Sequence, residues 1–454
     1  MGPRAALPSA QVATAARTRG CSGRRRGCVS SSAGSSSSPS SGSPPLPRVA
    51  VVGAGPGGLA VGLALTLSRT ADVTVFERRT KSDGGGLGLA VGLWSNAWGV
   101  LDALGVAADL RRDFLRATST ELCNASSTSS HLSPLNRFDL SDVFSDFDPE
   151  FRYVHRGALR QVLESGLERA GGRPVEYGSA LSSLRTTVRG TVELKFEGGR
   201  AAEFDAVVGA DGVRSKVRAA VLPGDRDSAV RYSGYTCWRG LATFPDGVDP
   251  GLLPVRQTYG AGVRLGSCAM TRTQVHWFVC ANAEARGAGM REEVAEKVAR
   301  WPSFAEALVG ATGDADLVRT DISDRDPLWP WALRDAGPVT LLGDAWHPMT
   351  PNLGQGGCVA LEDALALVKA VAERPGDLAG AFRKYEQRQA PRAAFIALKS
   401  RLVGFLVQLD APAIVALRDI ALAKVFNPAL AFAHIRYTPG EVPWSPAPDT
   451  YINN

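Results

Sequence analysis

The feature that most constrains the fold of this chain is a glycine-rich turn placed between two apolar runs. Residues 49–52 are short and apolar, as in a strand that is buried on both faces of a parallel sheet. Residues 59–67 are apolar over a length typical of a helix. The turn between them reads G-x-G-x-x-G, with its glycines at Gly53, Gly55 and Gly58. A strand, a tight turn and a helix in this order predict the first half of a βαβ unit.

A second strand and an acidic residue complete that unit and indicate its ligand. Residues 73–76 are typical of a strand, and Glu77 follows it, 19 residues after Gly58. In such a unit Gly53 permits the turn, Gly55 lets the backbone approach a pyrophosphate, and Gly58 lets the helix pack on the strand. The helix N-terminus offers free N–H groups to phosphates, and Glu77 can accept hydrogen bonds from ribose hydroxyls. The segment therefore predicts dinucleotide binding on an α/β fold.

Two later segments repeat the pattern of an apolar strand that ends in a Gly- and Asp-containing turn. Residues 204–209 lead to Asp211 and Gly212, and residues 339–342 lead to Asp344. We expect the three turns to converge on one nucleotide, where the Asp344 carboxylate can hold hydroxyl groups. The loop after Asp344 directs backbone N–H groups toward one point, which suits negative charge on a ligand. It contains Leu353, Gly354, Gln355, Gly356 and Gly357.

Together these segments resemble one known family. The glycine turn with its distal Glu77, the stretch GADGVRSKVR (209–218) and the stretch GDAWHPMTPNLGQGG (343–357) are similar to those of FAD-dependent aromatic hydroxylases, the class A flavoprotein monooxygenases. The third stretch is the most specific of the three. Its sequence most resembles the plant monooxygenase branch, which is related to salicylate hydroxylase and zeaxanthin epoxidase. The resemblance extends from about Arg48 to the 420s.

The resemblance implies roles for individual residues. Arg156 and Leu159 match the R-x-x-L motif of the family, whose arginine lies by the flavin; the alternative is a surface arginine that starts a helix. We predict His347 and Pro348 as catalytic because their loop should lie near the reacting atoms, although a loop histidine bonded to backbone is the alternative for His347. The predicted cofactor-binding residues are Gly53, Gly55, Gly58, Glu77, Arg78, Arg156, Asp211, Gly212, Asp344, Leu353, Gly354, Gln355, Gly356 and Gly357.

The activity that the resemblance implies is oxygen transfer by a flavin. NAD(P)H reduces FAD, O₂ adds to the flavin C4a atom, and the hydroperoxide hydroxylates or epoxidises a small aromatic or unsaturated substrate. The sequence has no second fingerprint for NAD(P)H, so NADPH and NADH are not distinguished.

Three alternatives to that activity remain. The chain could be a carotenoid epoxidase like zeaxanthin epoxidase, or a non-catalytic FAD-binding sensor. The third is a flavin halogenase. Trp329-Pro330-Trp331 partly matches the W-x-W-x-I-P signature of those enzymes, but the Ile-Pro is missing.

The predicted organisation is a discontinuous Rossmann-like FAD-binding domain with an inserted mixed β-sheet substrate domain and a C-terminal helical region. We expect a disordered transit peptide at 1–47, the FAD-binding domain at 48–225 and 330–375, the substrate domain at 226–329 and the helical region at 376–454. The substrate domain supplies four candidate substrate contacts, Trp238, Arg239, Tyr259 and Trp277. Of these, Arg239 would favour an acidic substrate. The apolar positions of 381–425 should pack on the FAD-binding domain, with peripheral membrane contact left open.

Charge and composition argue against other classes of function and predict a location in the cell. The net charge is +6, but seven of the 51 basic residues and none of the 45 acidic ones lie within residues 1–48, so the rest carries a charge of −1. A basic surface for nucleic acid is therefore not indicated. The first 47 residues are rich in Ser and Arg and contain no acid, which is typical of a transit peptide, for a plastid first and a mitochondrion second. No metal-binding spacing of Cys and His occurs, and no run is long and apolar enough to span a membrane.

Overall fold

The computed structural model describes residues 45–83, 90–125, 134–222, 224, 230–285, 290–299 and 301–444. The prediction for residues 1–47 therefore lies almost wholly outside the described residues. Strands and helices alternate through the described part.

A four-stranded parallel sheet carries the three turns that the sequence singles out. Its strands, in order across the sheet, are β16 (Val339–Leu341), β10 (Ala206–Gly209), β1 (Arg48–Val52) and β2 (Asp72–Phe76). Almost every residue of these strands is buried, because helices cover the sheet and no polar face is needed. The predicted strand–turn–helix–strand order at 49–77 is confirmed.

Helices pack around this sheet and join it to the rest of the chain. The long helix that follows the glycine turn, α1 (Pro56–Ser68), contacts α8 (Gly356–Ala372), which follows the third turn. The other helices before α8 are α2 (Ser95–Ala103), α3 (Ala107–Asp113), α4 (Arg156–Arg169), α5 (Lys216–Val221), α6 (Arg291–Val298) and α7 (Ser303–Gly310). Two small antiparallel sheets complete this part, one of β3 (Ala90–Trp94) and β6 (Phe151–His155), the other of β7 (Leu181–Thr186), β8 (Val192–Phe196) and β9 (Ala201–Phe204).

The second large sheet has seven strands and is mixed. Across the sheet the order is β15 (Thr312–Asp324), β11 (Arg231–Thr243), β14 (Gln274–Asn282), β13 (Val263–Ala269), β12 (Val255–Tyr259), β4 (Ser119–Asn124) and β5 (Asn136–Asp139). Only β12 and β4 pair in parallel. Strands β4 and β5 lie within the range 48–225 of the predicted FAD-binding domain, yet they extend this sheet. Strand β4 is buried on both faces and so lacks the alternation that marks a half-exposed strand.

The chain then turns helical, as predicted. Helix α9 (Leu378–Val407) has 30 residues and is followed by α10 (Pro412–Lys424) and α11 (Pro428–Phe432). The expectation that the apolar positions of this region pack on the FAD-binding part is wrong for many of them, since large side chains of α9 and α10 are exposed. None of the described helices combines the length and the apolar character needed to cross a bilayer. These elements confirm the predicted fold class.

In the mixed sheet, the packing of two neighbouring strands requires a glycine opposite a tryptophan. Gly240 in β11 pairs with Trp277 in β14, and a Cβ at Gly240 would lie 2.1 Å from the fully buried indole ring. We expect Gly240→Ala to lower the free energy of unfolding by about 1–3 kcal/mol through overpacking. The midpoint of urea unfolding measures this change. Gly310→Ala is the matched control, because no atom lies within 4 Å of that position, and an equal loss in both variants would contradict the explanation.

Candidate cofactor and substrate site

A cavity of about 680 Å³ lies at the carboxyl ends of the parallel strands. Its wall contains Gly53 and Gly55 after β1, Glu77 after β2, Asp211 after β10 and Asp344 after β16. The three turns that are far apart in the sequence therefore meet at one edge of the sheet. Ligands of open α/β sheets bind at this edge.

The three glycines of the first turn have different packing requirements. Gly53 has a φ of +111°, and a Cβ there would lie 2.4 Å from the carbonyl oxygen of Ala210. A Cβ at Gly58 would lie 1.9 Å from the carbonyl oxygen of Gly53. By contrast, no atom lies within 4 Å of a Cβ at Gly55, which borders the cavity. Helix α1 starts next to it with no side-chain cap, so its first N–H groups remain available for an anion.

Glu77 is held in place by the glycine turn. Its Oε2 atom accepts a hydrogen bond of 2.9 Å from the N–H of Ala54, and its Oε1 atom accepts one of 3.1 Å from the N–H of Arg79. The carboxylate lines the cavity with Arg78, which is exposed. Each carboxylate oxygen has a further lone pair, so Glu77 can still accept hydroxyl groups of a ligand.

Asp211 is engaged by its own loop. It accepts hydrogen bonds from the Ser215 hydroxyl at 2.5 Å, the Lys216 N–H at 2.7 Å and the Val217 N–H at 3.2 Å. These bonds cap helix α5 and hold the turn, which bends at Gly212 with a φ of +81°. Asp211 and Gly212, which the sequence predicts to bind the cofactor, both line the cavity. The Asp211 carboxylate also fixes the loop that contains them.

Arg156 and Asp344 mark the point where the first cavity meets a second one. Arg156 starts α4, Asp344 follows β16, and both side chains face the two cavities. No described residue donates a hydrogen bond to the Asp344 carboxylate. The surrounding protein raises the pKa of Asp344 by desolvation, while the positive charges of His347 and Arg156 oppose the rise. A ligand hydroxyl would satisfy this carboxylate.

The second cavity, of about 270 Å³, lies between the loop after β16 and the mixed sheet. Gly354, Gly356 and Gly357 form one wall. Gly356 starts α8, and no side chain caps that helix. The N-terminus of α8 therefore directs a positive dipole end toward the cavity. The sheet forms the opposite wall with Cys237, Arg239, Arg264, His276, Phe278 and Cys280.

The polar side chains around this cavity differ in charge. Arg264 is buried and donates hydrogen bonds to the Asn352 amide oxygen and, at 3.6 Å, to the Cys280 sulfur. Burial lowers the pKa of His276 to about 3, so its imidazole is neutral. Tyr153 of β6 also lines the cavity, and burial raises its pKa, so its hydroxyl stays protonated. The wall thus offers guanidinium groups and neutral donors.

His347 lies in the loop but its imidazole lines neither cavity. The ring is buried, and its Nε2 atom lies 2.6 Å from the Asp363 carboxylate of α8. Burial lowers the pKa of His347, but the charge and hydrogen bond of Asp363 outweigh burial and raise it. Asp363 also accepts the N–H of Gly343 at 2.8 Å. This geometry favours a positioning role for His347, whereas Pro348 lines the first cavity.

Two members of the predicted loop also point inward. Gln355 is buried and accepts a hydrogen bond of 2.8 Å from the Asn96 amide. Leu353 packs against Val359 and Ile396. Their side chains anchor the loop, while the glycines beside them border the cavity.

Of the four predicted substrate contacts, only Arg239 borders the cavities. Side chains alternate between the faces of a strand, so the neighbouring Trp238 must face away, and it is fully buried in the core on the other side. Trp277 likewise faces that core and donates to Thr312 at 2.8 Å. The prediction is corrected for both. Tyr259 is corrected as well, because it packs beneath α9 and α10 outside both cavities.

The sequence alone does not identify the rest of the sheet wall. Arg264 and His276 lie in segments that alternate polar and apolar residues, and this signal gives the strand but not which face meets the flavin loop. Cys237 shares the cavity face of β11 with Arg239, and it pairs with Cys280 of β14, which in turn pairs with Arg264 of β13. These pairings place the remaining wall residues on the same face of the sheet. Trp329 and Trp331 stack with ring centroids 5.4 Å apart and are exposed, away from both cavities.

Comparison with known proteins gives a family match and similar relatives. A family described as "FAD binding domain" matches residues 47–396. The chain is 31% identical to aurachin C monooxygenase/isomerase of Stigmatella aurantiaca over 80% of this chain and 90% of that protein. It is 32% identical to the chloroplastic zeaxanthin epoxidase of Solanum lycopersicum over 79% of this chain and 54% of that protein, and so spans about half the length of the epoxidase.

A solved structure extends the comparison to the fold. Klebsiella pneumoniae HpxO, complexed with FAD and uric acid, superposes with a TM-score of 0.73 and 25% identity over 86% of this chain and 95% of that chain. The family match covers both edges of the convergent site, from the glycine turn to the loop before α8. The chain therefore belongs to the class A, aromatic-hydroxylase-like family of FAD-dependent monooxygenases.

Proposed function

We propose that this chain uses NAD(P)H and O₂ to hydroxylate a small aromatic substrate that carries an acidic group. The observation that carries the proposal is the presence of two guanidinium groups, of Arg239 and Arg264, in the wall of the second cavity. Guanidinium groups pair with planar anions through parallel hydrogen bonds. The uric acid bound by HpxO is an acidic heteroaromatic compound, which supports a ligand of this chemical class.

The residues of the first cavity fit the adenosine and pyrophosphate part of FAD. Gly55 leaves space beside the uncapped N-terminus of α1, which suits the pyrophosphate. Glu77 would accept the ribose hydroxyls, with Arg78 at the rim. Asp211 would contribute by holding its loop against the same cavity.

The junction and the second cavity fit the ribityl chain and the flavin ring. Asp344 has a carboxylate free to accept ribityl hydroxyls, and Arg156 lies beside the same space. The N-terminus of α8 suits negative charge on the flavin ring. Bound FAD would accept a hydride from NAD(P)H and activate O₂ for transfer of one oxygen atom.

This chain's own residues would orient the substrate and exclude water. Arg239 and Arg264 would pair with the acidic group, and the protonated Tyr153 and neutral His276 would donate hydrogen bonds without adding charge. Much of the remaining wall is apolar, with Phe278 and Met349. A closed and apolar site protects the reaction from water. We keep the catalytic assignment of Pro348 and assign His347 the positioning of its loop.

Epoxidation of a carotenoid is the second candidate, and the similarity to zeaxanthin epoxidase favours it. The second cavity argues against it. A long apolar polyene would leave the half-buried guanidinium group of Arg239 and the buried one of Arg264 without the anionic partner that an acidic substrate provides, which is costly. A non-catalytic FAD sensor is the remaining alternative, and the same assay that tests hydroxylation distinguishes it.

The Glu77 carboxylate provides a direct test of the FAD site. We expect Glu77→Ala to raise the dissociation constant for FAD about ten- to a hundredfold, because a hydrogen bond to a charged group contributes about 1.5–3 kcal/mol. Titration of the apoprotein followed by flavin fluorescence measures it. Glu197→Ala is the matched control, since that carboxylate is exposed in the turn between β8 and β9. Unchanged FAD affinity in Glu77→Ala would refute this placement of the ribose.

Substrate-dependent NAD(P)H oxidation tests the proposed activity. We expect the holoprotein to consume NAD(P)H with an acidic aromatic compound from a panel of phenolic acids, purines and carotenoids, with a product one oxygen atom heavier. Arg239→Met should raise KM for that substrate about tenfold or more and change KM for its neutral amide analogue less. Arg189→Met, on an exposed turn, is the control.

The outcomes separate the candidates. Oxygen transfer to a carotenoid alone would favour the epoxidase. Tight FAD binding without NAD(P)H oxidation by any compound would favour the sensor. Equal loss toward acidic and neutral analogues in Arg239→Met would show that the arginine does not recognise the acidic group.

We also propose import into plastids, on the strength of the Ser- and Arg-rich, acid-free composition of residues 1–47. The chloroplastic zeaxanthin epoxidase among its relatives supports this address. We expect residues 1–47 fused to a fluorescent protein to enter plastids of plant cells, and the same fusion with its six arginines changed to glutamine to stay outside. Mitochondrial fluorescence would assign the second address instead.

A further inference from the structure

The C-terminal helices carry an apolar surface that the described part of the chain leaves uncovered. Between residues 395 and 432, ten large apolar side chains have exposed fractions of 43–76%. We call this surface the α9–α11 face. The side chains that carry the argument are Phe395, Leu402 and Phe405 on α9 and Ile414, Leu417 and Ile420 on α10.

On α9 these side chains lie opposite the buried side of the helix. Ile396, Ser400 and Gly404 point into the protein and are buried. Phe395, Leu402 and Phe405 differ from that direction by roughly half a turn of the helix. In the first half of α9 the exposed positions are Gln387, Arg388 and Pro391, and the first two are polar, as expected beside water. The outer side of α9 therefore changes from polar to apolar along its length.

The composition of the face distinguishes the kind of partner. Eighteen residues between 395 and 432 are exposed, and only Asp410, Lys424 and Asn427 among them are polar. Interfaces between proteins are about 56–65% apolar and carry many hydrogen bonds. The face has fifteen apolar residues out of eighteen and so offers few of the hydrogen-bonding groups that such interfaces use. It suits the acyl region of a lipid layer better than a second protein surface.

The two terminal segments of this sequence that lie outside the described residues offer few large apolar side chains to cover this face. Residues 1–44 contain only Met1, Leu7, Val12 and Val29 as large apolar residues, and residues 445–454 contain only Tyr451 and Ile452. Lys424 adds a positive charge at the edge of the face, which is complementary to anionic lipid headgroups.

We propose that the α9–α11 face is a docking surface for a lipid membrane. The helices would lie in the membrane plane, with the apolar side chains in the acyl boundary and Lys424 among the headgroups. This inference concerns a surface and does not depend on the proposed substrate.

Docking would bring the substrate cavity close to the lipid. The inner side of α9 contacts the loop that borders the second cavity: the Ser400 hydroxyl lies 3.0 Å from the Thr350 hydroxyl, and the Asn352 amide donates to the Ser400 carbonyl at 2.9 Å. Asn352 in turn accepts a hydrogen bond from Arg264 of the cavity wall. One helix diameter, about 10 Å, therefore separates the cavity wall from the docked surface.

Vesicle sedimentation tests the proposal with the full-length FAD-loaded protein. We expect binding to phosphatidylcholine vesicles and stronger binding when phosphatidylglycerol is added. Leu402→Gln combined with Phe405→Gln should lower the partition coefficient about tenfold or more, because two large apolar side chains leave the lipid. Neutral vesicles are the decisive arm, since the arginines of residues 1–48 would themselves attract anionic lipid.

Two variants serve as controls and as a safeguard. Leu253→Gln changes an apolar side chain that is also about half exposed, 45%, but lies outside the α9–α11 face, and it should bind as the parent does. If Leu402→Gln with Phe405→Gln alters FAD content or circular dichroism, Ile414→Gln with Leu417→Gln on α10 replaces it.

Three results would overturn the proposal. These are no binding of the parent protein to neutral vesicles, equal binding of parent and variant, and a parent dimer that dissociates in the variant while neither binds vesicles. The last result would assign the face to a second copy of the chain.

Discussion

The turns after β1 and β10 approach each other so closely that a Cβ at Gly53 would overlap the carbonyl oxygen of Ala210. This approach is possible only for glycine, and it brings the ends of strands that are about 150 residues apart in the sequence to one edge of the sheet. Gly58 sets α1 against the same turn. The free N–H groups of α1 and the Glu77 carboxylate consequently face one cavity. The remaining elements extend that edge: β16 adds Asp344, and its loop leads into α8.

The mixed sheet has two faces with different roles, and the alternation along each strand separates them. Trp238 and Trp277 fill a core shared with α6 and α7. Arg239 and His276, one residue away from them, face the flavin loop. A strand whose core face is tightly packed can hold charged side chains in a fixed position on its cavity face. The packing prevents the backbone from moving to separate those charges. The proposed substrate recognition would therefore depend on core residues, Trp238 and Trp277, that line neither cavity.

A feature of this fold can be predicted from the sequence when a short stretch of neighbouring residues determines it. The Gly53 turn, the Asp344 turn and their strands could be recognised because glycine spacing and apolar length are local properties. The place of β4 in the mixed sheet could not, since both of its faces are buried and its parallel partner β12 is more than 100 residues away. The same limit applies to Trp238 and Arg239: alternation places two neighbours on opposite faces of a strand, but only the tertiary structure decides which face meets the cavity. His347 matched a loop motif, and its pairing with Asp363 appears only when α8 is packed.

The charges around the second cavity give the bound ligands a structural role. Arg156, Arg239 and Arg264 border it, whereas Asp344 is the single carboxylate among the described residues of its wall. Guanidinium groups partly removed from water repel one another and carry a desolvation cost that no described carboxylate in the wall fully offsets. An anionic ligand held by the helix N-termini and these arginines lowers that cost, and whatever binds only the folded state stabilises it. The cavity proposed for the flavin ring and the substrate is thus also a part of the fold that a bound anionic ligand would stabilise.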